Sequence, residues 1–194
     1  SSLVFNFTNS NQSISKKNVY RCKKIVQREH KETRTKLKDY AVIELDRPLE
    51  NTQPLKLRKW GRVLPYTPLV VIGHPSGLPM KIADGANVKP LNWKEFFTPF
   101  SSILARRYYF YANLDTFSGN SGSPVFNRYT KKVEGILVQG ASDYQFRGNG
   151  DWCQEVTKFS NSTFVSQEKV FRITKIKGLK KLIAADYKNL KENL

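Results

Sequence analysis

The stretch Asp115–Asn127, DTFSGNSGSPVFN, decides how this chain is read. Gly119 and Gly122 bracket Asn120 and Ser121, and Pro124 opens an apolar run, so the backbone turns tightly and then enters a strand. A turn built from such small residues can hold a serine hydroxyl clear of the backbone, with nearby N–H groups facing a developing oxyanion. GNSG also makes an ordinary β-turn, so the motif alone does not establish a catalytic serine. A serine at neutral pH needs a base beside it, and the chain has two histidines, His30 and His74.

Outward from this turn, short apolar or alternating runs recur between turn signals: LVFNFT, NVYRCKKIV, YAVIEL, PLVVIG, RYYFYANL, SPVFN, VEGILVQG and VFRIT. They are rich in Val, Ile, Tyr and Phe, and Gly, Pro, Asn and Ser bound them, the pattern of an all-β chain of many short strands. The residues from Gly178 to Leu194 differ: Leu179, Leu182, Ile183, Tyr187 and Leu190 recur at helical spacing and predict one amphipathic helix packed on its own domain. NTQPLKLRKWGRVLPY, residues 51–66, reads as a linker crossing between two sheets or barrels.

Four motifs, in order, resemble the trypsin- and chymotrypsin-like serine endopeptidases in their bacterial branch. Asp39-Tyr-Ala-Val-Ile-Glu-Leu45 is similar to the strand entry that carries the triad aspartate. Leu69-Val-Val-Ile-Gly-His-Pro-Ser-Gly-Leu-Pro79 is similar to the strand and turn opening the second barrel. GNSGSP resembles the nucleophile loop, and Val133-Glu-Gly-Ile-Leu-Val-Gln-Gly140 the strand lining the specificity pocket.

The resemblance implies two six-stranded antiparallel β-barrels of the chymotrypsin type, the first incomplete here, with a C-terminal α-helix. Residues 1–55 would be the remainder of the first barrel, 56–176 the second barrel, and 177–194 the helix. It implies Asp39 and Ser121 as catalytic residues, an oxyanion hole at Gly119, Asn120 and Ser121, and substrate binding by Asp115, Thr116, Val138, Gln139 and Gly140. Asp115, at the trypsin-like spacing before Ser121, would favour a Lys or Arg side chain through a charge-assisted hydrogen bond; in the bacterial branch the Asp-Thr pair braces the pocket wall instead. No histidine stands near Leu137, so a preference for acidic residues is not expected.

The triad base is the gap in this pattern. In the family it lies several dozen residues before the aspartate, often in Thr-Ala-x-His-Cys, and nothing upstream of Asp39 matches. His30, in REHKETRTKLKD, reads as a solvated surface histidine, and His74, between Gly73 and Pro75, as a turn residue. The resemblance then implies that the base comes from absent sequence. An upstream segment or a separate chain is expected to complete the first barrel, since half a barrel exposes unpaired edges. The reading is a serine endopeptidase for peptide or protein substrates, with this chain nearly inert by itself; the alternative is an inactive pseudo-protease serving as a basic binding module.

Charge and composition bound the other classes. The 33 Lys and Arg against 16 Asp and Glu give a net charge of +17, which draws polyanions. No RNP sequence, zinc-finger spacing or glycine-rich phosphate loop accompanies it, so nucleic acid is not an expected partner. No run long and apolar enough to span a membrane occurs, and the first residues lack the pattern of a signal peptide. The chain does not begin with Met and reads as a trimmed piece of something longer. The family resemblance favours a secreted or periplasmic location. Cys22 and Cys153 form no metal-ligand cluster, so no metal and no cofactor are expected. They could pair, could have lost a partner, or could be buried thiols.

Overall fold

In a computed structural model the described residues are 2–33, 37–50, 52–90, 106–114, 116–140, 144–146, 154–156 and 168–184. Its strands are β1 (Ser2–Val4), β2 (Val19–Glu32), β3 (Leu37–Leu45), β4 (Pro68–Gly73), β5 (Lys81–Asn87), β6 (Tyr109–Ala112), β7 (Pro124–Asn127), β8 (Val133–Gln139), β9 (Tyr144–Phe146), β10 (Gln154–Val156) and β11 (Glu168–Arg172). Residues 179–184 are helical, begun by Gly178 with φ +67°. The rest of the helix expected to Leu194 lies outside the described residues.

Six strands form one antiparallel sheet in the order β5-β4-β7-β8-β11-β6. The sheet curls until its two edges meet: Val88 bridges Ala112, and Lys89 N donates to the Tyr111 carbonyl at 2.8 Å. Period-two alternation explains what fills it. Leu69 and Val71 of β4, Ala86 of β5, Phe110 and Ala112 of β6, Val125 of β7, Leu137 of β8 and Val170 of β11 point into one core with Val63 and Leu114. Burying each of the larger of these is worth about 1.5–3 kcal/mol.

The segment expected as a linker does more than connect. Leu57 pairs with Val133 as a parallel bridge, Arg58 N donates to the Val133 carbonyl at 3.0 Å, and Val133 N to the Lys56 carbonyl at 2.8 Å. Val63 then enters the core. Residues 56–63 thus cover the start of β8, which the Pro-containing, polar composition hid.

A smaller sheet, β1-β2-β3, carries the N-terminal part. Its hairpin pairs Glu32 with Leu37 at the tip and Cys22 with Leu45 at the base, and two bulges keep the long arm in register. β2 runs well past the apolar run that predicted it, because backbone pairing with β3 rather than an apolar face holds KKIVQREHKE extended. Tyr40 anchors the hairpin on the barrel: its ring stacks on Phe171 at 5.2 Å, and its hydroxyl accepts from Lys177 N at 3.3 Å and from Gln27 Nε2 at 2.6 Å. Burial pushes the Tyr40 phenol above its ordinary pKa. Elsewhere the small sheet is open, with Ile25, Val26 and Val4 exposed. Cys22 is half-buried on β2, and Cys153 lies outside the described residues.

Candidate active site

The serine turn is held from three directions. From β8, the Leu137 carbonyl accepts from Gly122 N at 2.7 Å, and Leu137 N donates to the Ser123 carbonyl at 3.0 Å. Within the turn, Asn120 N donates to the Phe117 carbonyl at 3.2 Å and Ser123 N to the Asn120 carbonyl at 2.9 Å. From the β4–β5 connection, Ser76 N donates to the Ser118 carbonyl at 2.7 Å.

Two glycines make this close packing possible. Gly119 has φ +93°, and a Cβ there would meet Ser76 N at 2.9 Å. A Cβ on Gly73 would stand 2.3 Å from both Asn120 Oδ1 and Ser123 Oγ, so β4 passes directly beneath the turn.

The result is an exposed Ser121 on a buried Asn120. Among the described residues, neither the hydroxyl of Ser121 nor the N–H groups of Gly119 and Ser121 have a hydrogen-bond partner. A hydroxyl and two N–H donors left open on one rigid turn can receive a carbonyl oxygen that gains charge. The N–H of Asn120, by contrast, is used inside the turn. Its side-chain Oδ1 is buried with no hydrogen-bond partner among the described residues.

Of the expected pocket residues, Asp115 lies outside the described residues. Thr116 is buried, and its N–H and hydroxyl both donate to Glu168 Oε1, at 3.3 and 2.8 Å. Glu168, the first residue of β11, was not foreseen; a carboxylate 52 residues from its partner leaves no local signal. Val138 packs against the Tyr109 side chain, and Gln139 and Gly140 are exposed at the end of β8. Gln139 pairs with Lys169 across β11, next to Glu168, so the rim residues and the Thr116 anchor share one end of the barrel.

Asp39 sits on the other sheet. It pairs with His30 across the hairpin, and His30 Nδ1 lies 3.4 Å from Asp39 Oδ1, with both side chains substantially exposed. His30 is a surface residue as expected, but its contact with the candidate triad aspartate was missed; the antiparallel register of the hairpin is the signal that could have found it. His74 is a turn residue before the short 3₁₀ segment Pro75–Gly77. Its ring stacks on Phe7 and its Nδ1 lies 3.0 Å from the Leu78 carbonyl. Neither imidazole contacts Ser121.

β8 also carries a buried ion pair. The Glu134 side chain is fully buried on β8 and takes the Arg58 guanidinium through Nε and Nη2, the latter at 2.9 Å, and Asn127 Nδ2 at 3.1 Å. Sequence reading did not reach this pair, whose members are 76 residues apart. Among the described residues no His, Cys, Asp and Glu gather as a metal site, and no helix is long and apolar enough to cross a membrane.

Residues 4–136 match the trypsin-like peptidase domain family, a span that contains both Asp39 and Ser121. No curated protein matches the chain. Among solved structures it is similar to kallikrein-related peptidase 10, with a TM-score of 0.55 and 16% identity over 86% of this chain and 74% of that one. It is also similar to an inactive form of Rv3671c from M. tuberculosis H37Rv, with a TM-score of 0.50 and 15% identity over 89% and 69% of the two chains. At such identities the likeness shows the fold, which is of the chymotrypsin type, with a curled six-stranded antiparallel sheet, a second sheet and a short C-terminal helix.

Proposed function

Because this chain belongs to the trypsin-like peptidase domain family, we propose that it is the serine-bearing part of a serine endopeptidase acting on peptide or protein substrates. The observation that carries this reading is the open turn, where the Ser121 hydroxyl and the N–H groups of Gly119 and Ser121 all lack partners among the described residues. Ser121 Oγ attacks the scissile carbonyl and passes its proton to an imidazole. The carbonyl oxygen takes the negative charge and is held by the two N–H groups. Collapse expels the amine, which receives that proton, and water then releases the acyl group by the same steps in reverse.

Asp39 would orient the imidazole and stabilise its charged form. Neither His30 nor His74 contacts Ser121: His30 lies against Asp39 on an exposed hairpin, and the His74 ring lies against the Leu78 carbonyl. We therefore assign the base to residues other than these 194, in a segment that also covers the exposed Ile25 and Val26 of the small sheet. Residues 1–55, 56–176 and 177–194 then serve as first barrel remainder, second barrel and terminal helix. Asp115, Thr116, Val138, Gln139 and Gly140 form the pocket, and the enzyme works outside the cytoplasm.

The same two histidine contacts favour a second reading, a pseudo-protease that keeps the fold as a binding module. A fluorophosphonate probe on the full gene product separates the two. Covalent labelling that disappears in Ser121→Ala supports the peptidase, and an unlabelled, folded protein removes it. The 194 residues alone should label at least about 100-fold more slowly than a complete triad, since only the oxyanion turn remains.

A further inference from the structure

The second barrel has an end that faces away from the serine turn. β4 runs from Pro68 to Gly73 beneath that turn, and β7 runs antiparallel to it from Pro124 to Asn127, so the start of β4 and the end of β7 meet at the far end. Backbone bonds gather three stretches there. Arg128 N donates to the Pro68 carbonyl at 2.9 Å, Thr67 N to the Leu64 carbonyl at 3.3 Å, and Val133 N to the Lys56 carbonyl at 2.8 Å. Trp60, Leu64, Tyr66 and Tyr129 stand on these stretches, between 71% and 79% exposed.

The backbone beneath these side chains is fixed. Val63 is buried in the barrel core, Gly61 turns the chain with φ +73°, and Arg58, paired with the buried Glu134, donates from Nη1 to the Trp60 carbonyl at 3.5 Å. Tyr66 has φ +62°, and its N–H donates to the Val88 carbonyl at 2.8 Å. Such a backbone is disfavoured for a bulky side chain, and strain of this kind gathers at binding surfaces. Lys131, in the β7–β8 turn, has φ +57°, so two of the four non-glycine residues with positive φ among the described residues fall at this end. The charge is one-sided. Lys59, Arg62, Lys131 and Lys132 are exposed and make no ion pair among the described residues, whereas Asp84 is held by Arg128 at 3.0 Å and Glu134 by Arg58.

We propose that this end of the barrel is a docking surface for an anionic lipid bilayer. Trp and Tyr suit the headgroup level of a membrane, since each joins an apolar ring to one polar group that stays wet. Leu64 adds apolar surface for the acyl boundary and has no part in stacking on bases, which separates this surface from a nucleic-acid platform, where aromatic faces carry the contact. The four exposed cations meet the negative headgroups, and that attraction adds to the apolar insertion. A chain docked this way presents its serine turn to solution, away from the bilayer.

The test is cosedimentation of the 194-residue chain with vesicles of phosphatidylcholine alone and of phosphatidylcholine mixed with phosphatidylserine, read together with tryptophan emission. The mixed vesicles should bind the chain with a blue shift of the emission that is lost in Trp60→Phe, and raised sodium chloride should weaken the binding. Lys59→Gln with Arg62→Gln, and separately Trp60→Ser with Leu64→Ser, should each weaken it about 10-fold or more. Tm should stay unchanged in both, because all four positions are exposed. Equal binding to both kinds of vesicle, no binding to either, or folded variants that bind as the parent does would overturn the surface. Single-stranded DNA that binds through Trp60 while the mixed vesicles do not would assign this end to nucleic acid and overturn the proposal as well.

Discussion

Replacing Glu134 with Gln should loosen the strand against which the serine turn is built. The carboxylate is fully buried and accepts two bonds from Arg58 and one from Asn127. Gln has the same shape but no charge, and its amide places an NH₂ where one of those donors now points. The Arg58 guanidinium loses its ion pair, and Arg172 loses the group that favours its charged form. Removing one member of a buried pair costs about 3–5 kcal/mol, because the other charge is left buried without compensation. The Arg58 side chain is 25% exposed, so water can reach it in part, and the cost belongs near the lower end, about 3 kcal/mol. For a chain of this size that is a fall in Tm of about 6–12 °C.

Thermal unfolding by circular dichroism at neutral pH reads this directly, with urea unfolding at one temperature as a check that the slope is unchanged. The double variant Arg58→Met, Glu134→Met should recover part of the loss, since exchanging both members of a buried pair for apolar groups is often near neutral. A Glu134→Gln protein within about 1 kcal/mol of the parent, the scale of one neutral hydrogen bond, would refute the argument that the charge of Glu134 is what Arg58 requires.

Other substitutions test the turn itself. Gly119→Ala forces a Cβ against Ser76 N at a φ of +93°, so fluorophosphonate labelling of the full gene product should fall about 100-fold; unchanged labelling would show that the Gly119 N–H holds no oxyanion. Gly73→Ala drives a methyl into Asn120 and Ser123 and should lower stability by about 1–3 kcal/mol, measured by urea unfolding; a neutral result would mean β4 does not pass beneath the turn as described. Acid should weaken the hairpin: the Lys38 hydrogen bond holds the Glu29 carboxyl below its ordinary pKa of 4.5, so its contribution is present above that value and is lost as pH falls through the lowered one. Glu29→Gln should therefore flatten the dependence of Tm on pH below about 4.5, and parallel curves for the two proteins would contradict the pairing.

What the sequence showed plainly was local. The serine turn is legible because its glycines stand where the backbone takes positive φ, and the turn needs nothing distant to be recognised. The apolar strands of the barrel are legible because Leu69, Val71, Val125 and Val170 satisfy a period-two pattern against one core. β5 escaped because Asp84-Gly85 looks like a hairpin turn. In the fold Gly85 has φ +86° and accompanies a bulge against β4, with Asp84 Oδ1 accepting from its N–H at 2.7 Å. The Thr116–Glu168 and Arg58–Glu134 contacts escaped for a different reason. Each joins polar residues far apart in the chain, and no periodicity predicts which buried charge meets which.

Asp39 brings the two kinds of information together. Its motif is legible in the sequence, yet its side chain is 49% exposed and in contact with His30 at 3.4 Å. A carboxylate that orients a catalytic imidazole does so best when shielded from water, because solvent weakens both the hydrogen bond and the charge stabilisation. The same small sheet leaves the apolar side chain of Ile25 57% exposed. A segment completing that barrel would remove water from both and could bring an imidazole to compete with His30 for the Asp39 oxygens. On the proposed reading the exposure of Asp39 belongs to a sheet still to be covered, and the role of Asp39 depends on a cover that also supplies its partner.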